Sequence, residues 1–114
     1  MSDKLIDPNQ AIDYIIAKSG EYAQARANRI YMEELRKTLK AELCKTALHY
    51  GYEAVNAQER EAYSDPNYRA NLLAIKQAVE EEEKIRWMLI AAQARIDVWR
   101  SQEASNRAID KLTL

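Results

Sequence analysis

The chain has 114 residues, 47% of them hydrophobic and 31% charged, with 17 basic side chains against 18 acidic ones and a formal net charge of -1. That length suits one small domain, and the balance excludes a membrane-spanning chain and argues against a wholly disordered one. Near-neutral charge names no polyanionic partner. Two Gly and two Pro are too few for a sheet with tight turns, so the expected fold is all-α.

Two Asp-Pro-Asn tripeptides, Asp7-Pro8-Asn9 and Asp65-Pro66-Asn67, read as helix starts. An Asp carboxylate accepts the orphan amide protons of a first turn, and Pro is tolerated at the first helical position. After the first tripeptide only Gly20 interrupts the pattern before Gly51, which suits the positive φ of a helix C′ position. After the second, neither Gly nor Pro recurs. The reading is a long helix over about 8–50, a corner over about 51–65, and a second long helix over about 66–109, each long helix roughly 60 Å in length. Within the corner, Asn56 with Glu59 three residues on resembles a capping box and predicts a short helix over about 57–63. A single domain results, an antiparallel hairpin of two long helices with a short corner helix.

At about 100° per residue, Ile12, Ile16, Ala23, Ala27 and Ile30 share one face of the first helix. Met32, Leu35, Leu39, Leu43 and Tyr50 share another. On the second helix Tyr68, Leu72, Ile75 and Val79 make a narrow stripe, and two seams follow. One holds Ile85, Leu89, Ala92, Ile96 and Trp99; the other holds Trp87, Ile90, Ala94 and Val98. A single antiparallel neighbour covers one seam only. A second partner is therefore expected, either a second copy that completes an elongated four-helix bundle as a homodimer or a different protein.

Signs of catalysis are sparse. His49 is the only histidine and Cys44 the only cysteine; five residues apart on a helix, they cannot face each other. No Gly-rich phosphate loop occurs. The expectation is a protein without enzymatic activity, cofactor, metal or small-molecule substrate, in which Cys44 is a small buried side chain. A lone cysteine and an opening segment without an apolar stretch fit the cytoplasm or another reducing space.

Three clusters are candidates for binding. Lys18, Tyr22, Arg26, Arg29, Arg36, Lys37 and Lys40 fall in one sector of the first helix. They read either as a solvated face or as a track that follows phosphates, with Tyr22 to stack on an unpaired base and DNA contact that is weak. Glu80, Glu81, Glu82 and Glu83 read as a solvated face with an ordinary Glu82–Arg86 ion pair, or as an acidic collar for a basic partner. The corner gathers Tyr50, Tyr52, Tyr63 and Tyr68 beside Arg60 and Arg69, a packed corner or a recognition tip.

The second half of the chain, from Glu61-Ala62-Tyr63-Ser64-Asp65-Pro66-Asn67-Tyr68 through Leu72 to Val79 and on to Arg86-Trp87-Met88-Leu89-Ile90-Ala91-Ala92-Gln93-Ala94-Arg95-Ile96-Asp97-Val98-Trp99-Arg100-Ser101, resembles small all-helical proteins of tailed bacteriophages and prophages. That resemblance implies an early-region protein with no assigned activity, acting in the bacterial host cytoplasm beside DNA recombination or replication, through protein contacts. It leaves two alternatives, a phage-encoded inhibitor of a host defence or DNA-processing protein and a structural component of the virion.

Overall fold

The computed structural model describes residues 5–113. Three helices make up the described chain: α1 (Pro8–His49), α2 (Val55–Ser64) and α3 (Pro66–Thr113). α1 packs against α3 as a hairpin, with α2 as the corner. No strand forms among the described residues.

Both Asp-Pro-Asn starts behave as their chemistry dictates. Asp7 Oδ1 accepts from the backbone N–H of Asn9 at 3.0 Å and of Gln10 at 3.3 Å. Asp65 Oδ1 accepts from Asn67 N–H at 2.7 Å. α1 stops at His49 with a Schellman arrangement: Tyr52 N–H donates to Ala47 C=O at 3.0 Å, and Gly51 N–H to Leu48 C=O at 3.0 Å. Gly51 takes the required left-handed backbone, with φ 102°.

The corner helix departs from expectation. It begins at Val55, so Asn56 lies inside it; its N-cap is Ala54, which makes no side-chain capping bond. Gln58 Nε2 donates instead to the Glu53 carbonyl at 3.2 Å. α3 runs to Thr113, past the expected stop near 109, because no residue there breaks a helix.

Two compact units divide the chain: Gln24–Glu82 forms one, and the chain up to Ala23 together with that from Glu83 onward forms the other. In the Gln24–Glu82 unit the buried positions are Ala47, Ala62, Asn71, Ala78 and Glu82. In the other they are Ala11, Ile85 and Ala92. Among the described residues no large side chain is fully buried. The buried apolar positions are alanines apart from Ile85, and many large apolar side chains stay exposed.

The face of α1 that turns inward is not the one its apolar residues suggest. Ala11, Lys18, Ala25, Met32 and Leu39, seven residues apart, are buried or half-buried, as are Tyr22 and Arg29. Ile12, Ile16, Ala23, Ala27 and Ile30 are exposed, Ile16 at 68%. Of the second expected face, Met32, Leu39 and Leu43 are half-buried, while Leu35 and Tyr50 are exposed. On α3 the inward positions of the first stretch are Asn71, Ala74, Ile75 and Ala78, so Leu72 and Val79 lie outside the covered strip.

Gly20 sits in mid-helix with open space where a Cβ would stand. Gly20→Ala is expected to raise stability by about 1 kcal/mol, since the helix loses its most flexible residue and nothing clashes. A higher urea midpoint at unchanged slope checks this.

Candidate interaction surfaces

Three residues of the expected charged clusters, Arg29, Glu82 and Lys40, form ion pairs within the fold. In the Gln24–Glu82 unit, Arg29 forms a side-on pair with Glu82: Nε donates to Oε2, and Nη2 to Oε1 at 3.2 Å. Nη1 donates to Glu33 Oε2 at 3.1 Å, one turn along α1. The Glu82 side chain is 8% exposed and that of Arg29 24%. Hydrogen bonding to Glu82 holds the guanidinium above its ordinary range, against the opposing effect of burial and with further support from Glu33. Glu82 is therefore not part of a solvated acidic face. Arg86 Nη1 lies 3.7 Å from Glu83 Oε2. Glu80, Glu81 and Glu83 remain exposed.

Lys40 lies 3.5 Å from Glu59 Oε1 and 5.0 Å from the centre of the Tyr63 ring. Its contact with Tyr63, ahead of the charge of Glu59, raises the ammonium above the usual lysine value. A cation whose folded pKa is raised contributes stability that is complete below its unfolded pKa and vanishes as pH rises through the folded one. Lys40→Met is accordingly expected to be less stable than wild type below pH 10.5. The gap should close above that pH, as followed by denaturant midpoints across the alkaline range.

These placements break up the basic sector. Lys18, Tyr22, Arg29 and Lys40 are half-buried. Lys18 pairs with Glu21 at 3.1 Å. Arg26, Arg36 and Lys37 stay on the surface, and Lys37 pairs with Glu34 at 3.2 Å. A phosphate track thus keeps three of its six cations in solvent.

At the corner, Tyr63 meets Tyr68 edge to face at 5.2 Å, and His49 meets Tyr50 at 5.7 Å. Tyr50 is 76% exposed, and Tyr52, Arg60 and Tyr63 are exposed as well. Packing accounts for the Tyr63–Tyr68 contact and leaves Tyr50 and Tyr52 outward. Cys44 is half-buried rather than buried.

The two seams of α3 separate cleanly in the unit that contains them. Ile85 and Ala92 are buried, and Leu89, Ile96 and Trp99 half-buried, so the hairpin itself takes up this seam. That removes Ile85, Leu89, Ile96 and Trp99 from the surface expected to self-associate. The other seam stays in solvent: Trp87 is 60% exposed, Val98 48% and Ile90 43%. The Arg86 guanidinium stacks on Trp87 at 5.1 Å. Its Nη1 is buried without a hydrogen-bond partner.

One feature of the same unit had no signal in the sequence. An open groove of about 680 Å³ lies between the start of α1 and α3, lined by Ile6, Tyr14, Met88, Ala92 and Arg95 among others. The Tyr14 hydroxyl is buried there without a partner. It forms because Ala11, Ala91 and Ala92 leave room between the helices, which hydrophobic periodicity does not report.

Among the described residues no group of three or more His, Cys, Asp or Glu is placed to hold a metal ion, and no helix is long and apolar enough to cross a membrane. Compared with protein-family models, with curated proteins and with solved structures, the chain matches none.

Proposed function

We propose that this is a non-enzymatic helical binding and assembly protein that works as a homodimer. The observation that carries the reading is the outer seam of α3, with Trp87 60% exposed beside Ile90 and Val98. An apolar strip of this kind on a chain whose buried apolar positions are alanines apart from Ile85 marks an interaction surface. Each large apolar side chain withdrawn from water there contributes about 1.5–3 kcal/mol.

Following the resemblance of its second half to small phage proteins, the dimer serves as an accessory to DNA recombination or replication in the bacterial host cytoplasm, chiefly through protein contacts. Direct DNA contact is weak in this reading, because Arg26, Arg36 and Lys37 are the exposed cations of the basic sector. Light scattering tests the assembly: the expected mass is twice the 13.2 kDa of one chain. A single-chain mass at tens of micromolar removes the reading. Anisotropy with labelled single- and double-stranded DNA tests the second part, with binding expected at low salt and lost at physiological salt. Tight binding at physiological salt would make nucleic acid the principal partner.

A second reading is favoured by the exposure of Tyr50, Tyr52 and Arg60, and of Glu80, Glu81 and Glu83. Here the dimer is an inhibitor that docks its aromatic corner or acidic residues on a host defence or DNA-processing protein. Tyr50→Ser with Tyr52→Ser would then abolish capture of that protein while leaving the dimer intact. Loss of the dimer instead would assign these tyrosines to structure.

A further inference from the structure

We draw no further inference here: the strongest candidate, the open groove between the start of α1 and α3 beside Tyr14, carries nothing, because the Tyr14 hydroxyl is closed off from solvent, Asp7 and Arg95 line it with opposite charges, and nothing in the structure shows what covers it.

Discussion

Trp87→Asp is expected to weaken self-association by a hundredfold or more. In the proposed dimer two Trp87 rings leave water, and burying each would contribute about 1.5–3 kcal/mol, so their loss together with a carboxylate placed in an apolar contact would exceed about 3 kcal/mol. Sedimentation velocity at matched concentrations measures it. An unchanged sedimentation coefficient would place the interface elsewhere. Trp99→Ala offers the contrast. Trp99 is half-buried in the seam that the hairpin itself covers, so its truncation should lower helicity at every concentration rather than shift the association equilibrium.

Glu82→Ala is expected to destabilise the protein by about 2 kcal/mol. Its side chain is 8% exposed and accepts two hydrogen bonds from Arg29; losing a charged hydrogen-bonding partner costs about 1.5–3 kcal/mol, and Arg29 keeps its bond to Glu33. The decisive companion is Arg29→Leu combined with Glu82→Leu. Replacing both charges by apolar groups strands no buried guanidinium, and Glu33, whose side chain is 40% exposed, turns to solvent, so the double variant should recover most of the lost stability. Urea unfolding of the single and double variants checks this. A double variant less stable than Glu82→Ala would show that the pair contributes more than the desolvation it costs.

The same pair explains where sequence reasoning lost its way. α1 carries two stripes with heptad-like spacing. One is apolar, through Ile12, Ile16, Ala23 and Ile30. The other mixes small, polar and charged residues, through Ala11, Lys18, Tyr22, Ala25 and Arg29. Periodicity alone favours the apolar stripe as the inward face. The structure turns the mixed one inward, where Arg29 finds Glu82 and Lys40 finds Glu59, and where Ala78 and Ala92 leave room. Long-range charge pairing of this kind, 53 residues apart for Arg29 and Glu82, leaves no trace in a local window. A buried charge pair also fixes how two helices slide past each other, which a stripe of alanines does not.

Local chemistry was more legible. Both Asp-Pro-Asn starts and the Gly51 stop depend only on residues within a turn of one another, and each appears as expected. The capping box at Asn56 misled because the helix begins two residues upstream at Val55, where Ala54 serves as N-cap without a side-chain bond. On α3 the division into two seams was readable, because Ile85, Leu89, Ala92, Ile96 and Trp99 recur at helical spacing and so do Trp87, Ile90, Ala94 and Val98. Which of the two the hairpin covers was not, since both carry a tryptophan and similar apolar area. The groove beside Tyr14 was invisible for a related reason. It is made of absent volume, at Ala11, Ala91 and Ala92, rather than of present chemistry.

The exposed seam and the alanine-rich core make one joint claim, that folding and self-association share the same free energy. The measurement that meets it most directly is the thermal midpoint of the unmodified chain over a hundredfold range of protein concentration. If the outer seam of α3 is covered by a second copy, that midpoint rises steadily with concentration, because association stabilises the folded state by mass action. A midpoint that stays constant across the range would mean that the hairpin stands alone, and would contradict the account.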